Sequence, residues 1–228
     1  MTAPLRHTPL YETAQQLGAR FVEAGGWRFP EAYTTPDEEI AAVRAGGGLA
    51  DVTPHGKLHV EGEEAARALQ AAFGQAPEAI GQGARVEAGH LYWLRRDLFY
   101  LSTPPGREAE AQAQITAAVA QLGAFVTVTD LTQALSDLRL IGPASVQILS
   151  KVCGLDFRPA AFPDLTAKTT SLAKTRQLIA RRDFGALPAY TFVGDSSLAA
   201  YVWGVVMEAG REYGLAPVGV AALRKLEP

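Results

Sequence analysis

The chain has 228 residues, of which 48% are hydrophobic, enough to fill a substantial core, and this excludes a disordered chain. With 20% charged residues, a formal net charge of -3 and scattered basic residues, it carries no footprint for nucleic acid or an anionic membrane. The expected partner is a small molecule or another protein. Polar residues, Pro4 and Arg6 follow Met1 where a leader would have an apolar run, and no stretch approaches the roughly 20 apolar residues that span a bilayer. A cytoplasmic protein is expected. The single cysteine, Cys153, has no second thiol for a disulfide or a metal pair, so it reads as a packing residue, and no metal site is predicted.

In chain order, Thr8-Pro9-Leu10-Tyr11 opens a stretch expected to be helical to Val22. It leads into Gly25-Gly26-Trp27-Arg28-Phe29-Pro30-Glu31-Ala32-Tyr33. The paired glycines predict a tight turn, while Trp27 and Tyr33 offer large apolar faces with one polar atom each. A helix from about Ile40 then runs to Ala50-Asp51-Val52-Thr53-Pro54-His55-Gly56-Lys57 and a first strand.

From here the chain repeats itself. Asp51-Val52-Thr53 and Asp130-Leu131-Thr132 open two parallel segments. Each continues into an alternating stretch ending in glycine, Leu58-His59-Val60-Glu61-Gly62 and Leu138-Arg139-Leu140-Ile141-Gly142, which predicts a half-buried strand and a turn. Helices are predicted over 63–73 and 143–152, the second with Pro143 in its first turn. Then Leu94-Arg95-Arg96-Asp97 and Ala180-Arg181-Arg182-Asp183 mark two hairpins with exposed charges, each leading into a returning strand. A last helix follows in each copy, over 107–122 and 196–213, closed by Gly123 and Gly214. Two such strand, helix, strand, strand, helix units related by a pseudo-twofold axis predict a pocket between them.

The order Thr8-Pro9-Leu10-Tyr11, Gly25-Gly26-Trp27 with Pro30 and Tyr33, Ala42-Val43-Arg44, Gly48-Leu49 with Asp51-Val52, and Gly56-Lys57 resembles the opening of the glycine-cleavage T-proteins, the aminomethyltransferases. Glu208-Ala209-Gly210-Arg211-Glu212-Tyr213-Gly214-Leu215-Ala216-Pro217-Val218-Gly219 is similar to that family's last core helix and following loop. The resemblance covers about residues 8 to 222 and extends to sarcosine oxidase subunits and YgfZ-type proteins. It implies an α+β fold of two similar antiparallel-sheet-plus-helix halves forming a folate-binding core. The C-terminal β-barrel that follows in the full T-protein is expected to be absent. A discontinuous folate-binding-like subdomain, 1–50 plus 138–228, with 51–137 as an inserted α+β subdomain, is the domain division it suggests.

The resemblance also implies working residues, and several are replaced. Where the family carries an aspartate before the central hairpin, Arg85 to Trp93 holds one acid, Glu87, the candidate for the catalytic role. Tyr92 lies beside His90 in that stretch. Where a family strand ends in an asparagine on the pterin, this one ends Leu101-Ser102-Thr103. Where a glutamate grips the aminopyrimidine edge with a two-pronged contact, Tyr190-Thr191 stands. Arg224 meets the family's final arginine after a shift in alignment. His55 occupies a turn beside the expected pocket where the family has an apolar residue. The ligand-binding candidates are therefore His55, Tyr92, Thr103, Tyr190, Thr191 and Arg224. They imply a small-molecule ligand in the central cleft, tetrahydrofolate or a derivative, and a possible partner protein or subunit. With those replacements, the favoured function is a ligand-binding or accessory protein without transferase activity. The alternative is a tetrahydrofolate-dependent aminomethyl transferase of one-carbon metabolism, or a sarcosine-oxidase-like subunit.

Overall fold

The strand that opens the first repeat, Gly56–Glu61, is the fourth of five in a sheet ordered Gly83–Val86, Gly89–Arg95, Leu98–Thr103, Gly56–Glu61 and Thr127–Asp130, all antiparallel. Its counterpart Leu135–Ile141 occupies the same place in a second sheet, ordered Ala167–Leu172, Thr175–Arg181, Ala189–Asp195, Leu135–Ile141 and Gly48–Asp51, with Ala216–Pro217 added in parallel at the edge. A computed structural model describes residues 4–227 of the chain. In it the duplication read from the sequence is a duplication of sheet order.

The two copies are crossed. Gly48–Asp51, which leads into the first repeat, pairs with Leu135–Ile141 of the second, and Thr127–Asp130, which leads into the second, pairs with Gly56–Glu61 of the first. At each crossing the same clasp forms. Asp51 Oδ1 accepts from the Thr53 N–H at 3.1 Å, and Asp130 Oδ1 from the Thr132 N–H at 2.8 Å. The threonine hydroxyls then accept from the opposite repeat, Thr53 Oγ1 from the Asp137 N–H at 3.1 Å and Thr132 Oγ1 from the Lys57 N–H at 3.0 Å. An aspartate that turns the chain and a threonine that caps a buried donor explain why the Asp-x-Thr triplet recurs.

Each sheet packs one face on its own helices. Leu58, Val60, Phe99 and Leu101 meet Leu69 and Ile115 from Ala65–Phe73 and Glu108–Leu122, while Leu138, Leu140 and Phe192 meet Ile148, Val202 and Val206 from Ser145–Val152 and Ala199–Gly210. The other faces meet each other, with Tyr92 and Tyr100 against Ala167, Leu178, Ala180 and Val193. The strands expected to be half-buried are thus covered on both sides. Arg139 is 6% exposed, and Lys57 and Asp137 are 0% exposed. The layers run helix, sheet, sheet, helix, each sheet burying apolar area worth about 25 cal/mol per Å².

The N-terminal reading needs one correction. The first helix covers only Tyr11–Gln16, Gly18 follows at φ 78°, and Arg20–Ala24 is a strand that returns through Gly25 and Gly26, φ 57° and 76°, into Trp27–Ala32. A two-residue loop with both φ positive suits the twist of a hairpin, so residues up to Val22 are drawn into the sheet. The next helix, Pro36–Ala45, starts at a capping box in which Thr35 Oγ1 accepts from the Glu38 N–H and a Glu38 carboxylate oxygen accepts from the Thr35 N–H.

Glu39 of that helix is 2% exposed and accepts from the backbone N–H groups of Tyr33, Thr34 and Gly219. The last contact, at 2.8 Å, seats the C-terminal helix Val220–Leu226 against Trp27–Ala32. A Cβ on Gly219 would lie 2.1 Å from the Glu31 carbonyl oxygen, so only glycine allows this approach.

Removing the Thr132 hydroxyl would leave the buried Lys57 N–H without its acceptor. Thr132→Val is expected to cost about 1–3 kcal/mol in urea unfolding, and a loss below about 0.3 kcal/mol would contradict the clasp.

Candidate functional site

A cavity of about 360 Å³ opens at the seam between the two sheets. Phe29, Val52, Val220 and Leu223 give it an apolar wall, and the proline pair Pro104-Pro105 forms part of its rim. Its polar groups are His55, His90, Ser102, Thr103, Arg139, Arg182, Arg224 and Glu227. A second, smaller space adjoins it, sharing His90, Ser102, Arg139 and Arg182 and adding Tyr92, Tyr100 and Thr191. An apolar enclosure with a few polar groups is the usual form of a small-molecule site.

Two of its three arginines come from the second sheet and its hairpin, and Arg224 comes from the C-terminal helix. Arg139 projects from the inner face of Leu135–Ile141, and its Nε–H donates to Thr191 Oγ1 at 3.4 Å. Arg182 follows Thr175–Arg181 and pairs with Glu227. Both guanidinium groups lie over the ring of Phe184, 5.4 Å and 4.6 Å from its centroid. Burial and then the neighbouring Arg182 push the Arg139 pKa down from its ordinary value.

Behind this rim lies a buried polar group of residues. Lys57 Nζ donates to the carbonyl oxygens of Thr53 at 2.7 Å and His55 at 2.8 Å, which fixes the turn that presents His55. Asp137 Oδ2 is 3.7 Å from His55 Nδ1, beyond hydrogen-bond length, and neither carboxylate oxygen has a partner among the described residues. Burial lowers the pKa of His55, with the nearby Asp137 opposing the shift.

The structure brings His55, Thr103 and Arg224 together on the main cavity and sets Tyr92 and Thr191 on the adjoining space. Tyr190 lies elsewhere. It faces the helix layer, where its hydroxyl donates to the Phe157 carbonyl oxygen at 3.0 Å. Glu87 lines a separate surface cavity with Arg107 and Glu110. The hairpin charges of the second repeat are not exposed as expected. Arg181 is 6% exposed and forms a two-pronged pair with Asp183 at 2.8 Å on each arm, which frees Arg182 to turn into the seam. Of the polar groups lining the cavity, sequence reasoning missed His90, Ser102, Arg139, Arg182 and Glu227. No group of three or more His, Cys, Asp or Glu among the described residues is arranged to hold a metal ion, and no described helix is long and apolar enough to cross a membrane.

The family model for the GCVT N-terminal domain matches residues 10–227. The chain belongs to that family. It is 28% identical to an aminomethyltransferase of Saccharopolyspora erythraea over 97% of this chain and 62% of the relative, and 31% identical to that of Halothermothrix orenii over 96% and 63%. It thus spans under two thirds of the length of these curated aminomethyltransferases. Among solved structures, the aminomethyltransferase T of the glycine cleavage system from Bartonella henselae superposes with a TM-score of 0.82 at 22% identity, covering 97% of this chain and 62% of that one. A chain of the heterotetrameric sarcosine oxidase from Corynebacterium sp. U-96, solved in complex with pyrrole 2-carboxylate, gives a TM-score of 0.71 at 25% identity, with 92% of this chain and 97% of that one covered.

Burial, with Arg182, Arg139 and Arg85 nearby, pushes the His90 pKa down from 6.5 to about 3. A folded value below the unfolded one means that the stabilisation is complete above about pH 6.5 and is lost as pH falls toward about 3. Between about pH 7 and pH 4 the native chain should therefore lose roughly 2–3 kcal/mol more than His90→Gln, and identical acid profiles would contradict this placement.

Proposed function

We propose that this chain is a small-molecule-binding member of the aminomethyltransferase family without aminomethyl-transfer activity. The observation that carries the reading is the sign of the charge around the cavity. Three arginines line it, and the one carboxylate among its lining residues, Glu227, is held by Arg182.

General acid–base work on a folate nitrogen needs a carboxyl group within hydrogen-bond reach of it. Glu87 lines a different cavity, and Asp137, though unpartnered, is fully buried behind His55. The aminopyrimidine edge of a pterin presents N–H donors and asks for an acceptor. At Thr191, where the resemblance implies a gripping glutamate, the side chain offers a hydroxyl that already accepts from Arg139. The residues present do not fit that group, and leaving several polar contacts unmade would weaken folate binding by orders of magnitude.

A role within a larger assembly is favoured by a separate observation. The matched chain of the heterotetrameric sarcosine oxidase is covered to 97%, so a chain built from this core alone works there as one subunit among others. The two readings are compatible, since an accessory subunit can also bind a ligand.

With tetrahydrofolate and an aminomethyl-lipoyl carrier, the purified chain is expected to give no product above the rate without protein. Product above that rate would overturn the reading.

A further inference from the structure

We propose that the seam cavity is an oxyanion site, in which Arg139 and Arg182 hold the carboxylate or phosphate head of a small molecule whose apolar body lies against Phe29, Val220 and Leu223. The proposal rests on the ligand-binding reading above and names the class of ligand.

Arg139 is 6% exposed, yet it has no salt bridge to a carboxylate among the described residues. Its single hydrogen bond uses one of five guanidinium donors, on a neutral hydroxyl at 3.4 Å. Beside it stands a second guanidinium, Arg182, over the same Phe184 ring. Two like charges sharing a poorly solvated wall repel each other unless an anion lies between them. The nearby acids do not fill that place. Glu227, with a half-exposed side chain, is paired to Arg182, and Asp137 offsets part of the Arg139 charge through space but makes no hydrogen bond to either arginine.

A guanidinium fork matches the two oxygens of a carboxylate or phosphate in geometry as well as charge. The space is large enough for more than a bare ion. At about 360 Å³ it falls within the range of small-molecule pockets, and its apolar residues would pack against a ring-sized body. An oxyanion head with an apolar body is the chemistry that satisfies both parts of this wall.

Three probes separate the possibilities: benzoate, phenyl phosphate and benzamide, the last being the uncharged analogue of the first. Calorimetric titration of the whole chain should show benzoate or phenyl phosphate binding at least about tenfold more tightly than benzamide, and which anion is tighter identifies the head group. Arg139→Gln should raise the Kd of the preferred anion about tenfold or more, Glu227→Gln should lower it, and the exposed Arg176→Gln should leave it unchanged. Equal affinity for acid and amide, or no binding of either anion at millimolar concentration, overturns the proposal. Should Arg139→Gln fail to fold, the acid–amide contrast on the unsubstituted chain decides alone. Failure here with no aminomethyl transfer removes the oxyanion site only, whereas transfer activity removes the non-transferase reading beneath it.

Discussion

The two repeats are tied together by the exchange of their leading strands. Because Gly48–Asp51 is bonded into the second sheet and Thr127–Asp130 into the first, neither half completes its sheet without the other. The Asp-x-Thr clasps fix the crossing, and their threonine hydroxyls satisfy the buried N–H groups of Lys57 and Asp137. The exchange also forces the inner faces of the two sheets together. The side chains on those faces are therefore buried by the partner repeat, whatever their polarity.

The cavity inherits its character from this arrangement. On the outer faces the sheets meet helices and carry leucine, valine and phenylalanine, while on the inner faces Lys57, Asp137 and Arg139 occupy the alternate strand positions. At the cavity the N-terminal hairpin contributes Phe29 and the C-terminal helix Val220, Leu223 and Arg224 to the lining. Glu39 holds the start of that helix in place through Gly219, so a buried carboxylate outside the cavity lining determines where Val220, Leu223 and Arg224 stand. The result is a pocket whose walls are apolar and whose free polar groups are largely donors. That combination suits an anion better than a heterocycle that presents donors of its own.

Much of the fold was legible from residues alone. The recurrence of Asp-x-Thr, the two glycine-ended strands and the glycines closing both long helices led directly to a duplicated α+β unit, and Gly123 and Gly214 do stand at φ 60° and 70° at the helix ends. The site was less legible. Leu138-Arg139-Leu140 has the alternation of a strand with one wet face, and nothing local reveals that another sheet covers it. Arg181-Arg182-Asp183 likewise has the composition of an exposed turn, but pairing within the triplet buries one arginine and redirects the other. A signal was present in the repeat itself. Lys57-Leu58-His59 and Asp137-Leu138-Arg139 align with polar residues at the same alternate positions in both copies, as expected when two polar faces are turned toward each other.

Arg139 and Arg182 are proposed to receive an anion at the seam between the repeats. Diffraction from crystals of the chain soaked in 4-iodobenzoate tests it directly, because the anomalous signal of iodine locates the body and the density beside it orients the carboxylate. Iodine should lie within the apolar part of the cavity, with the carboxylate turned to the two guanidinium groups. Iodine bound only elsewhere on the protein, or a carboxylate turned away from both arginines, would contradict it.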